Sequence, residues 1–188
     1  MKSLLFNPFK VLSNTLNGLN KSDFIVVAAR PSMGKTAFAL NIALNISKSH
    51  KISFFSLEMS KEQLLERALS AKTLIKMNNI KSGNLEDKEW TRISWMSASI
   101  INSGLSIYDN IYSLNGIKAE CKRRKLQGGL DVVIIDYLTL IDGAEKSENR
   151  IQEISKISRQ LKLMAKELNI VVIALSQLSR APEVRTSH

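Results

Sequence analysis

Five short apolar runs punctuate the chain, separated by amphipathic or polar stretches. Residues 24–29, Phe-Ile-Val-Val-Ala-Ala, form one continuous run, the pattern of a strand buried on both faces. Further runs at 52–57, 105–108, 132–135 and 170–175 predict four more strands. Between them the spacing predicts helices over 35–48, from Ser60 onward, and over 86–101, 113–125 and 150–168. The last is the clearest. Ile151, Ile154, Ile157, Leu161, Met164 and Leu168 recur every three or four residues as one apolar stripe. Lys156, Arg159, Lys162 and Lys166 fall largely off that stripe and read as a solvated face. Ser60 and Gln63 have the spacing of a capping box, and Trp90 and Trp95 are core candidates within the 86–101 helix. Strands alternating with helices predict an α/β fold, a mainly parallel sheet with covering helices. No repeat or low-complexity tract divides the chain.

This topology says where to look for chemistry. In an open parallel sheet, ligands bind beyond the carboxyl ends of the strands. The positions there are Arg30, Glu58, Asp109, Asp136 and Gln177, and all five are polar. After the first strand comes Ala29-Arg30-Pro31-Ser32-Met33-Gly34-Lys35-Thr36, a phosphate-binding loop with Ala29 where the usual pattern has Gly. Gly34 lets the backbone approach a phosphate, and the following helix offers unpaired N–H groups and a positive dipole end. Lys35 supplies a point charge for the β- and γ-phosphates of a nucleotide, and the Thr36 hydroxyl is a ligand for Mg²⁺. Asp136 ends an apolar strand, where its carboxylate can hold the same Mg²⁺ directly or through water. Glu58 has two readings. It orients the water that attacks the γ-phosphate, or it favours the dipole of the helix beginning at Ser60.

Composition narrows the field. With 44% hydrophobic and 23% charged residues, the 188-residue chain has the balance of a globular domain. Cys121 is the single cysteine, and the only histidines are His50 and His188, so neither a disulfide framework nor a zinc site is expected. The apolar stretch at 3–6 is broken by Asn7-Pro8 and is too short for a signal peptide or membrane span. A cytoplasmic protein with no membrane partner is the expectation. The net charge of +10 suits a polyanionic partner such as nucleic acid, and equally a basic protein kept soluble by its charge.

The motifs resemble those of DnaB-type replicative helicases. Ala28-Ala29-Arg30-Pro31-Ser32-Met33-Gly34-Lys35-Thr36 is similar to that family's phosphate loop. Phe55-Ser56-Leu57-Glu58-Met59-Ser60 resembles the segment that carries its catalytic glutamate, and Ile134-Ile135-Asp136-Tyr137-Leu138 its magnesium motif. Asn149-Arg150-Ile151-Gln152-Glu153-Ile154-Ser155 and Ala174-Leu175-Ser176-Gln177-Leu178-Ser179-Arg180 resemble two later signatures. The resemblance covers about 16–180. It implies a RecA-like P-loop NTPase with helices on both faces of the sheet, ATP hydrolysis with Mg²⁺, and movement on single-stranded DNA. The full-length protein would act as a homo-hexamer, with primase and a helicase loader as partners. Catalytic roles then fall to Glu58, Lys35 and Gln177, with Gln177 as the sensor of the γ-phosphate. The 142–149 loop precedes a helix whose start, in the family, faces the central channel.

The departures are specific. Thr139 stands where the family usually has Gln, and Tyr108 where an acidic residue is common, so no role is assigned to Asp109. The family's next segments carry a DNA-gripping loop and an arginine that reaches a neighbour's ATP site. Neither has a counterpart before His188. Arg180 and Arg185 are the arginines nearest that end. The expected organisation is a lead-in from a linker at 1–15 and a RecA-like core at 16–188, incomplete at its C-terminal end. Two other readings are a recombinase-type ATPase and a nucleotide-binding interaction module with negligible turnover.

Overall fold

The structure is a computed structural model that describes residues 18–141 and 150–178, apart from the side chains of Arg150 and Ile151. The predicted lead-in at 1–15, the 142–149 loop, Ser179, Arg180 and Arg185 lie outside the described residues. The elements run β1 (Phe24–Ala29), α1 (Lys35–Ile46), β2 (Ile52–Ser56), α2 (Lys61–Thr73), α3 (Met77–Ser82) and α4 (Asp87–Ile101). They continue with β3 (Leu105–Tyr108), α5 (Leu114–Gln127), β4 (Val132–Asp136), a 3-10 turn at Leu138–Leu140, α6 (Arg150–Leu168) and β5 (Val171–Gln177).

The strands form one sheet in the order β1-β5-β4-β2-β3, and every pair is parallel. β2 and β4 are buried at every position, because helices cover both faces of the sheet's centre. Successive residues feed opposite cores, as the strand period of two requires. Phe54 and Ile134 meet Leu40, Ala43 and Leu44 of α1 and Leu64 and Ala68 of α2. Phe55 and Ile135 meet Ile117 and Cys121 of α5 and Ile157, Leu161 and Met164 of α6. Burial pushes the Cys121 thiol up to about 12, with Glu120 adding to the effect, so this sulfur is a core side chain and not a nucleophile. Among the described residues no helix is long and apolar enough to cross a membrane.

Three expectations need correcting. β1 is not buried on both faces. Among the described residues it pairs only with β5, at one end of the sheet order, and Val26 is 47% exposed. Trp90 and Trp95 are not core residues, being 49% and 73% exposed. α4 packs against α2 through Met96 and buried Ile100, with Ile93 on the same helical face, and the two indoles fall off that stripe. The apolar run at 170–175 continues as strand to Gln177, so Gln177 ends β5 instead of following it. The short helix α3 had no periodicity long enough to announce it.

Capping fixes the start of α2. The Ser60 side chain accepts from the Gln63 N–H and the Gln63 side chain accepts from the Ser60 N–H, both halves of the expected box. Asp109 Oδ2 accepts from the Lys61 N–H at 2.8 Å, tying the end of β3 to the same helix start. Tyr108 stacks on Phe55 with centroids 5.0 Å apart. Its phenol is held above the usual range by burial and by its hydrogen bond to Glu120.

These packing assignments predict unequal costs for two truncations. Leu161→Ala, at a fully buried site, should destabilise the fold by about 2–5 kcal/mol. Trp95→Ala should cost no more than about 1 kcal/mol despite the larger side chain removed. Denaturant unfolding of both variants checks the ranking, and a larger loss at Trp95 would reverse it.

Candidate functional site

β1 delivers its last residue, Ala29, to the carboxyl edge of the sheet, and the chain turns there into α1. Ser32 (φ 64°) and Gly34 (φ 80°) both adopt left-handed conformations. A Cβ built on Gly34 meets nothing within 4 Å, so the glycine is required for its dihedral and not for space. Gly34 is the N-cap of α1, where no side chain caps the helix and no acidic residue occupies the first turn. The first-turn N–H groups therefore face the cavity with a positive dipole end and no internal competitor.

Beneath them lies Asp136, the last residue of β4, with its side chain only 1% exposed. Its Oδ2 accepts from the Thr36 hydroxyl at 2.5 Å, and its Oδ1 lies 3.5 Å from the Lys35 ammonium. Among the described residues Oδ1 has no hydrogen-bond partner. The Lys35 ammonium also sits over the Tyr137 ring, 4.0 Å from its centroid. A buried carboxylate oxygen without a hydrogen bond, next to a hydroxyl, is a donor set that fits Mg²⁺. Among the described residues no group of three His, Cys, Asp or Glu converges. Mg²⁺ needs none, because it keeps waters and takes phosphate oxygens.

Glu58 follows β2 and is exposed to the same space. The backbone holds it there: the Leu57 N–H donates to the Asp136 carbonyl at 2.7 Å, and the Ser56 hydroxyl to the Met59 carbonyl at 2.6 Å. Since Ser60, Gln63 and Asp109 already cap α2, that helix does not need the Glu58 side chain. Gln177 arrives from β5, in register with Ala29, and the Leu178 N–H donates to the Ala29 carbonyl at 3.1 Å.

These elements surround a cavity of about 620 Å³. Ala29, Arg30, Pro31, Ser32, Gly34, Lys35 and Thr36 line it together with Glu58 and Gln177. Met33 does not: it is 74% exposed and absent from the wall. Asp136 lies beneath the lining, reached through Lys35 and Thr36. Asp109 stays outside, at the base of α2. The outer wall holds residues that sequence reasoning missed: Gln63, Glu66 and Arg67 of α2, and Met77 and Lys81 of α3. Glu66 pairs with Lys81 at 3.8 Å across that wall. The available signal was a polar stripe at helical spacing beside Leu64 and Ala68, which pattern alone does not distinguish from a solvated face.

The profile of the DnaB-like helicase C-terminal domain matches residues 5–188. The chain belongs to this family. Replicative DNA helicase DnaB of Geobacillus stearothermophilus is 46% identical over 181 residues, covering 94% of this chain and 40% of the relative. Replicative DNA helicase DnaC of Bacillus subtilis (strain 168) matches to the same extent. This chain thus spans about 40% of the length of these relatives. The structure of a DnaB-like replicative helicase and its interactions with primase superposes with a TM-score of 0.88 at 38% identity, covering 97% of this chain and 45% of that one. A second solved structure, of an ATPase domain, superposes at 0.86 and 39% identity, covering 92% of this chain and 63% of that one. The five-stranded parallel sheet is accordingly a RecA-like fold of the DnaB-like type.

The site geometry predicts a binding defect for one family motif residue. Lys35→Ala should weaken ATP binding roughly 10- to 100-fold, the scale of a lost charge-assisted contact. Titration calorimetry checks this below the variant's melting temperature, since the change also strips the Asp136 carboxylate of its ion-pair partner. Undiminished affinity would remove the loop from the binding site.

Proposed function

We propose that this chain is the ATP-hydrolysing motor domain of a replicative DNA helicase. In this reading it acts within a homo-hexamer that moves on single-stranded DNA and unwinds duplex DNA. The observation that carries the reading is the convergence of Lys35, Thr36, Glu58 and Gln177 on one cavity with Asp136 beneath it. Membership of the DnaB-like family supports the motor over a recombinase-type ATPase. Residues 1–15 would lead in from a linker, and 16–188 would form the motor core.

Each residue has a task that its position suits. The backbone of Ser32 and Gly34 and the first turn of α1 bind the phosphates, and Lys35 neutralises charge on the β- and γ-oxygens. Thr36 and Asp136 would hold Mg²⁺, whose charge offsets that developing on the phosphate oxygens. Glu58, exposed at the cavity wall and not needed as a cap, orients the attacking water and draws its proton. Gln177 would report loss of the γ-phosphate along β5, a role supported by its register with Ala29 at the start of the loop. The charge of +10 supports a nucleic-acid partner through counterion release. A primase and a helicase loader complete the proposed partners, and a cytoplasmic location follows from the replicative role.

The decisive variant is Glu58→Gln. It should retain ATP binding while slowing turnover by at least ~10²-fold, the usual scale for a positioned base. Parallel measurement of nucleotide affinity, single-turnover hydrolysis and melting temperature separates the outcomes. Equal loss of binding and rate would make Glu58 structural, and an unchanged rate would sink the hydrolytic assignment.

A further inference from the structure

The magnesium motif contributes a second side chain that the proposed chemistry does not use. Tyr137 directly follows Asp136, and its side chain packs, partly buried, against the hydrophobic core on the α1 face of the sheet. That packing presents a ring face to the Lys35 ammonium at 4.0 Å. The lysine side chain is only 10% exposed, held between the ring on one side and Asp136 Oδ1, at 3.5 Å, on another.

The two contacts have different fates when nucleotide arrives. Asp136 is shared with Thr36, and if it turns to a metal its hold on Lys35 weakens. The ring has no such second duty. A π face attracts the cation through its quadrupole, and it takes up no directed N–H bond as a carboxylate oxygen does. The ring does not compete as an anionic acceptor, so the ammonium keeps N–H donors for phosphate oxygens. Four rotatable bonds make an unsupported lysine side chain costly to order, and a fixed ring reduces the freedom left to lose on binding.

We propose that Tyr137 is a positioning residue for ATP binding: its ring face, and not its hydroxyl, holds the Lys35 ammonium in the pose that receives the phosphates. The proposal rests on the reading of Lys35 as a phosphate ligand. It concerns nucleotide affinity and not the chemical step, so it moves the ATP dissociation constant and leaves single-turnover rates at saturation within about twofold.

The test is a series at position 137 that changes the ring's electrons and little else. Tyr137→Phe should bind a non-hydrolysable ATP analogue with magnesium as tightly as the unaltered chain. Phenylalanine analogues carrying one, two and three fluorines at the same position should weaken binding stepwise, to a total of roughly 3- to 30-fold. Side-chain shape hardly changes along the series, so a purely structural role predicts a flat line. Tyr137→Leu, with its melting temperature as control, should fall at the weak end. Lys35→Ala separates the two possible failures. If that variant binds poorly while the fluorinated series stays flat, the positioning role is wrong and the phosphate reading stands. If Lys35→Ala binds normally, the phosphate reading fails and the proposal goes with it.

Discussion

A buried carboxylate ties the loop between β1 and α1 to the sheet. Asp136 ends a strand with no exposed residue, and its side chain meets Thr36 through one oxygen and Lys35 through the other. Burying such a group without partners is costly, and breaking a buried pair by deleting one member typically costs ~3–5 kcal/mol. The loop therefore packs where it can satisfy Asp136, which sets the height of α1 above the sheet. The same residue's carbonyl accepts from Leu57, so the step from β2 to Glu58 is fixed by the strand that fixes the loop. The relative placement of cation, hydroxyl and candidate base follows from one position in β4.

The rest of the molecule keeps that position rigid and its surroundings open. β4 lies between β5 and β2, with helices closing both faces of the sheet around it. β5 brings Gln177 level with Ala29, and β2, beyond β4 in the sheet, carries the chain from Ser56 level with Asp136 on to Glu58. α2 then rises from a start capped three times over, by Ser60, Gln63 and Asp109, and carries Gln63, Glu66 and Arg67 to the outer wall. The uncapped start of α1 is the counterpart: where α2 satisfies its N–H groups internally, α1 leaves its own for a ligand.

Much of this was legible in the residues, and the failures share a cause. Strands and the α6 stripe were readable because burial on a sheet or one helix face imposes a period on the sequence. The loop, Glu58, Asp136 and Gln177 were readable because strand ends in a parallel sheet point at one edge. What period does not encode is which neighbour an element meets. Trp90 and Trp95 looked like core because indoles usually are, but α4 turns Met96 and Ile100 inward instead. β1 looked doubly buried from its apolar run, yet it sits at one end of the sheet order. The outer wall from α2 and α3 was invisible for the same reason: nothing local says that a polar stripe overlooks a cavity built by a distant loop. Tyr137 stands in the sequence only as part of a motif, and its meeting with Lys35 is a tertiary fact.

If Asp136 is the junction between the loop and a magnesium ion, its charge matters more than its shape. Asp136→Asn keeps the size and an oxygen for the Thr36 hydroxyl, so melting should show a folded chain. The direct measurement is ATP affinity with magnesium and with chelator, on the unaltered chain and on this variant. The account predicts that magnesium tightens binding at least ~10-fold in the unaltered chain, the scale of a contact to a charged group, and hardly at all in the variant. A folded Asn variant that retains the full magnesium enhancement would contradict it.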